Sequence, residues 1–561
     1  MQQNRLTNLV GFIIGLGLVA GGAFAYINSN TAAVAPTSQI SAEAMPPETL
    51  LYASVDVFNL LDPVKLARAA RAFAPLYNQV NLTASSEDEA IATIDAQFAE
   101  LGLTFRGDIQ PWIGRSVGAG ILDFELQDEE LLPTEYVIAA EIRDQTAAAA
   151  FLTKLIANYP MAYDGKPLEQ QLYQEVAILV EAGVDPPFAI SQSDTLMLIA
   201  SDATLLQQAI DAQQGASLFT QFGYTAAVAK LPAERPITVY VAGSAFGRIL
   251  TEFSASLDGI DLSDAMRIAA QSRLQQLHDS LPDRAIGAIV GVAGTLGLGD
   301  EGLQFDVASV YDAETVSAEQ KALLQKEPPP LQANRMPQDT VFYLSSGGLA
   351  QIWDTNRNLL LGVESDDDAE DALLLAEQQM GFNLERDLIS QLTGGMALGV
   401  YPASDGLFAM MNGTETGIVL TQDVADGATI AQPVEQIGSA LTGLLSVPVK
   451  QVEDYYSVAF LGTELAAYGV IDNAFVFSTH AENLRQPPQI LTGSAEFQEA
   501  LLAIPANMTL TGWLTVDGLA STFGSETPVA FQNIPMAAWG MGTDPTGGVA
   551  RFILFFGDSS E

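Results

Sequence analysis

The chain has 561 residues, nearly half of them hydrophobic (48%), enough to bury more than one core and too many for a single ordinary one. Its formal charge is −45 with only 16% charged residues, so Lys and Arg are scarce and the surface repels phosphate backbones, which excludes nucleic acid as a partner. The absence of cysteine removes disulfides, thiolate metal sites, cysteine nucleophiles and a lipidated cysteine, and leaves divalent cations, bound nonspecifically, or a basic partner as the ligands this charge would admit.

Residues 1–8 form a polar tip carrying Arg5. Residues 9–27 (LVGFIIGLGLVAGGAFAYI) hold no charge and suffice to cross a hydrocarbon core of about 30 Å. No Lys or Arg follows until Lys65, so the expected orientation is a cytoplasmic amino terminus with the bulk extracytoplasmic, periplasmic or at the cell surface, on a single-pass plasma-membrane anchor. The rival reading is a cleaved signal ending at Ala23-Phe24-Ala25. Residues 28–45, rich in Ser, Thr, Ala and Pro, read as a flexible tether.

From residue 46 the sequence carries its landmarks twice. MPPETLLYASV (from Met45) and MPQDTVFYLSS (from Met336) each give a proline turn, an acid, a threonine and an apolar strand. LGLTFRGDIQPWIGRSVGAGIL (from Leu101) and MGFNLERDLISQLTGGMALGVY (from Met380) each give a glycine reversal (Gly102, Gly381), a short helix capped by an aspartate (Asp108, Asp387) and a buried strand closing on Gly120 or Gly399. Strands at residues 136–141 and 417–421 follow, then hairpins turning at Asp194-Thr195 and Asp472-Asn473. Helix starts come next, at Ser201 and at Thr479, the latter with Glu482 at capping-box spacing. Leu231-Pro232 and Ile504-Pro505 precede strands at 237–241 and 510–516. Landmarks in unbroken order predict a tandem duplication: a first α+β repeat domain at 46–325, a Pro-rich linker at 326–335 and a second at 336–561. Each is expected to have a mixed or mainly antiparallel sheet with flanking helices. An amphipathic insertion at residues 246–281 belongs to the first copy alone.

Chemical signatures are sparse. The two histidines, His278 and His480, have no HxH or HxxxH partner and read as structural. Gly297 to Gly302 matches GxGxxG, but an alternating strand follows where a dinucleotide site needs a helix, so it reads as a hairpin turn. The acidic runs at 87–89, 128–130 and 364–371 and the spaced Asp258, Asp261 and Asp264 lack the loop pattern that gathers oxygens around calcium. No catalytic, cofactor-binding or metal-ligating residue is assigned.

The twin MP-x-x-T openings, the glycine-to-aspartate stretch and the leading apolar run resemble a family of bacterial envelope proteins known as a domain of unknown function, familiar from cyanobacteria and other bacteria. That resemblance implies a surface-facing, membrane-tethered protein. The expected function is a non-enzymatic envelope scaffold or binding module whose partner is an envelope protein or polymer. The alternatives are an extracytoplasmic carrier or chaperone for a hydrophobic ligand, and a carboxylate-based hydrolase.

Overall fold

In the computed structural model, the apolar runs after the two proline turns become middle strands of antiparallel sheets. The residues described are 39–57, 95–127, 130–162, 167–181, 188–248, 288–316, 331–350, 366–404, 407–445, 447–484, 489–522 and 532–557, less a few isolated positions. The chain divides into two units, Met1–Gln320 with Pro545–Val549, and Lys321–Asp544 with Ala550–Glu561. The apolar run at 9–27 lies outside the described residues, as do the prolines at 328–330, most of the insertion at 246–281, His278 and the acids at 87–89 and 258–264. Among the described residues no helix is long and apolar enough to cross a membrane.

The first unit opens with α1 (Ile40–Glu43) and β1 (Leu51–Asp56), followed by β2 (Ile113–Gln127) and β3 (Glu130–Ile142). Helix α2 (Gln145–Ala162) leads to β4 (Leu168–Tyr173), β5 (Val176–Glu181), β6 (Ala189–Gln192) and β7 (Leu196–Ala200). Helices α3 (Ala203–Ala212) and α4 (Phe222–Ala229) precede β8 (Ile237–Ala242), β9 (Ile289–Leu298) and β10 (Gly302–Tyr311). The pairings are all antiparallel and give the order β4-β5-β6-β7-β3-β2-β1-β8-β9-β10. One face packs Phe105, Trp112, Ile138, Leu155 and Tyr159 under α2; the other packs Tyr52, Val137, Leu198, Leu206, Ile210 and Tyr224 under α3 and α4. Each such side chain contributes about 1.5–3 kcal/mol by leaving water.

The second unit has β11 (Phe342–Ser346), α5 (Asp366–Met380), β12 (Met396–Pro402), α6 (Leu407–Asn412) and β13 (Thr416–Asp423). Then come α7 (Gly427–Leu445), β14 (Val449–Val452), β15 (Tyr455–Phe460), β16 (Thr463–Ile471) and β17 (Ala474–Ser478). It finishes with α8 (Ala495–Ala503), β18 (Leu510–Thr515), α9 (Val516–Thr522), β19 (Met536–Asp544) and β20 (Gly547–Phe555), of which Ala550 to Phe555 belong to this unit. Its strands are ordered β14-β15-β16-β17-β13-β12-β11-β18-β19-β20. The protein is therefore α+β, with antiparallel sheet and several helices.

Local chemistry explains the repeated landmarks. Thr49 Oγ1 donates to the Pro46 carbonyl at 2.7 Å, and Thr340 Oγ1 to that of Pro337 at 2.6 Å, so each threonine closes its own proline turn. Met45 and Met336 precede those turns fully buried, with their sulfurs against Gly120 and Gly399, where a Cβ would stand 2.6 Å away. Asp472 and Asn473 sit at φ 51° and 58°, making the two-residue turn between β16 and β17. Gly299 and Gly302 form the β9–β10 turn, with Gly299 N–H donating to the Gly302 carbonyl at 2.9 Å.

Three local expectations are corrected. Residues 40–45 are no part of a loose tether: α1 carries buried Ser41 and Ala42, and Ala44 and Met45 are buried behind it. At the far side of the prolines, Ala333–Arg335 forms a helical turn with Gln332 and Ala333 buried, because Gln332 donates to Asp423 at 2.6 Å. Thr479 builds no capping box. Its hydroxyl accepts from the Ile418 amide at 3.0 Å, and among the described residues only the short turn Ala481–Asn483 follows. Pro487 and Pro488 explain the brevity, since neither can continue a helix. In the first unit the cap of α3 is Asp202, whose carboxylate accepts from Leu205 N–H at 2.9 Å, while Ser201 bonds the Tyr136 amide.

Candidate functional site

The glycine-to-aspartate stretch is a backbone device in both units. Gly102 and Gly381 take left-handed conformations, φ 61° and 80°, that end the preceding helical turns. Then Thr104 and Asn383 each cap a single π-helical turn, Phe105–Ile109 and Leu384–Leu388, accepting from Gly107 N–H and Arg386 N–H. Asp108 and Asp387 reach back to accept from the Thr104 and Asn383 amides at 2.8 and 2.9 Å. Burial pushes the Asp108 carboxyl up, but Lys154 Nζ at 2.8 Å and the Thr104 amide outweigh it and hold it below the usual carboxylate range. For Asp387 the Arg386 guanidinium at 2.6 Å does the same. Acids so engaged stay ionised, which suits a cap and not a proton donor.

His480 presents Nδ1 to Tyr401 Oη at 2.9 Å and Thr479 Oγ1 at 3.1 Å, on the last turn after β17. Nearby, Glu464 accepts from the Ala481 amide and from Ser457 Oγ. These bonds tie β16 and β17 to the loop. Of the acidic run at 364–371, Asp366 to Asp371 begin α5, with Asp368, Glu370 and Asp371 exposed where the helix dipole favours negative charge, and residues 364 and 365 lie outside the described residues. Among the described residues, no three of His, Asp and Glu converge closely enough to hold a metal ion.

A cleft of about 620 Å³ opens in the first unit between the first proline turn and α3. Four of its lining residues are acids, Glu48, Glu135, Asp202 and Asp211, and none is Lys, Arg or His. Asp202 is held by its capping bond, and Asp211 accepts from Tyr173 Oη at 2.9 Å and from Gln174 Nε2 at 2.7 Å. Glu48 belongs to the MPPET opening, and Glu135 enters from β3. Chain distance hid this set from sequence reasoning: only the fold brings a turn, a strand and a helix to one opening.

A family model described as "Protein of unknown function (DUF3352)" matches residues 9–536. Three solved structures that the chain is similar to are crystal forms III, I and IV of TP0453, at 7%, 7% and 6% identity and TM-scores of 0.21, 0.22 and 0.21. The matches cover 54%, 50% and 50% of this chain and 91%, 80% and 81% of those, and scores this low support no inference. No curated protein matches.

Proposed function

The chain belongs to the DUF3352 family of proteins of unknown function, and on that footing we propose that it is a non-enzymatic binding module of the cell envelope, made by tandem duplication and tethered through residues 9–27. The observation that carries the binding role is the cleft of the first unit, with four carboxylates and no basic group. Two of those acids are engaged in structural bonds, which leaves charge and shape, rather than acid–base chemistry, as what the cleft offers. The partner chemistry this favours is a basic segment of an envelope protein or a cationic polymer.

Support for the duplication is the matched pairing order of the two sheets and a shared aromatic file. Tyr52, Tyr224 and Tyr240 meet edge to face at 5.8 and 5.3 Å; Tyr343, Phe497 and Trp513 do so at 5.2 and 5.4 Å. The backbone bonds from Leu218 N–H to the Met45 carbonyl and from Leu491 N–H to that of Met336, both 2.9 Å, fit the same plan. Support for the tether is the uncharged run that precedes Ile40.

Titrating the full chain in detergent with oligolysine tests the binding role. Saturable binding weakened by salt and by the pair Glu48→Gln and Glu135→Gln is expected. Equal binding by that variant, or substrate turnover abolished by one acidic substitution, would overturn the reading.

A further inference from the structure

In the first unit the phenol of Tyr52 ends in a chain of buried hydroxyls: Tyr52 Oη to Ser41 Oγ at 2.8 Å, and Ser41 Oγ to Ser116 Oγ at 2.7 Å. The phenol oxygen lies over Gly118, 2.9 Å from where a Cβ would stand. Gly118 faces Ser54 on β1 and Ala139 on β3.

In the second unit Tyr343 holds the corresponding place. It pairs with Gly399 as Tyr52 pairs with Gly120, and its ring meets Phe497 at 82° as that of Tyr52 meets Tyr224 at 83°. The serines, however, are replaced. Gln332 stands where Ser41 does, each carbonyl accepting from the amide three residues on, but its side chain turns to Asp423. Gly395, just before β12, takes the place of Ser116, while Ala397 faces Ser345 and Thr421 as Gly118 faces Ser54 and Ala139. The exchange removes two hydroxyls and brings in one, on Thr421.

Tyr343 and Thr421 are fully buried, and neither hydroxyl has a hydrogen-bond partner among the described residues. Ser345 and the Gln332 amide are near enough to ease charge on the phenol without meeting it in hydrogen-bond geometry. Directly opposite Tyr343, Trp513 brings a third buried donor, its indole N–H, that is likewise unpartnered among those residues. Side chains facing each other across antiparallel strands have Cβ atoms about 4.5–5.5 Å apart. Thr421 therefore stands beside Ala397, the row toward which the phenol points. Two dry hydroxyls in a packed core are costly, and a buried water needs two to four polar partners.

We propose that the second unit binds one buried water molecule between the hydroxyls of Tyr343 and Thr421, in the role that Ser41 Oγ performs in the first unit. A high-resolution crystal structure of the full chain tests this directly. An ordered water within hydrogen-bond distance of both oxygens is expected; a direct Tyr343–Thr421 bond, or no water there, overturns the proposal. Calorimetry on Tyr343→Phe and Thr421→Val is independent of crystal quality. Bridged hydroxyls predict that each variant lowers Tm by about 2–4 °C and that the double variant falls short of the sum. Unpaired hydroxyls predict that Tm stays level or rises, and that result refutes the site.

Discussion

Replacing Asp108 by alanine tests whether the aspartate of the repeated stretch acts chiefly on the backbone. Its carboxylate takes the Thr104 amide at 2.8 Å and the Thr104 hydroxyl at 3.2 Å, and pairs with Lys154 Nζ at 2.8 and 2.9 Å. The Asp108 side chain is 14% exposed and that of Lys154 42%, so solvent screens the ion pair to about 1 kcal/mol or less. Loss of a cap costs about 0.5–2 kcal/mol. Asp108→Ala should then cost about 1–3 kcal/mol, at roughly 2–4 °C of Tm per kcal/mol in a unit this large. Asp108→Asn keeps an acceptor for the amide and loses only the charge, and Lys154→Met loses only the pair; each should cost about 1 kcal/mol or less. Differential scanning calorimetry on the full chain reads all three. If Lys154→Met proves as costly as Asp108→Ala, the bond to Thr104 contributes nothing and the capping argument fails. The pH dependence has a fixed sign. The folded pKa lies below the unfolded value of about 3.9, so this stability is complete above pH 3.9 and disappears as pH falls through the folded pKa.

Gly381→Ala should cost about 1–2 kcal/mol of backbone strain at φ 80°, since the new methyl meets nothing closer than 3.7 Å; chemical denaturation reads it, and an unchanged midpoint would deny the left-handed requirement. Burial raises the Asp423 carboxyl against the pull of the Gly395 amide, so its ionised form costs stability as pH rises from its unfolded toward its folded pKa. Asp423→Asn should accordingly leave Tm at pH 7 level or higher, and a fall of several degrees would contradict that sign. Gly512→Ala would set a methyl 2.0 Å from the Trp539 ring and should cost at least about 1–3 kcal/mol, with a shift in tryptophan fluorescence as the ring moves. Phe105→Ala, at a position with no exposure, should cost about 3–5 kcal/mol by thermal melting; a loss below 1 kcal/mol would mean the π-helical turn is not seated in the core.

The features legible in the sequence were those made by neighbours in the chain. The proline turn with its threonine, the left-handed glycines Gly102 and Gly381, and the Asp472-Asn473 hairpin each form within a few residues, so residue type and spacing suffice. The aspartates expected to cap the helix instead reach back to the amides of the capping residues Thr104 and Asn383. The β4–β5 hairpin was hidden because Gln174 and Glu175, at φ 47° and 68°, make its turn without glycine or asparagine. Strand β1 misleads differently. It buries Tyr52, Ser54 and Asp56 and leaves Leu51 and Val55 half exposed, because Ser41, Gly118 and Arg115, from elsewhere in the chain, make the polar file acceptable inside. The acidic cleft has the same long-range origin, and no spacing rule could have assembled Glu48, Glu135 and Asp211.

The burial of Met45 bears on how the first unit would respond to a mechanical load. A pull on the residues before Ile40 enters the fold at α1, where buried Ser41 bonds Tyr52 and Ser116, and then meets a Met45 side chain wedged against Gly120 and a carbonyl clasped by the Leu218 amide. Beyond it lies β1, flanked on both sides by partner strands, so load passing that wedge would shear two ladders at once instead of peeling one edge. The Ser41 bonds and the wedge thus stand between such a load and the sheet, and both must give before the ladders of β1 are strained.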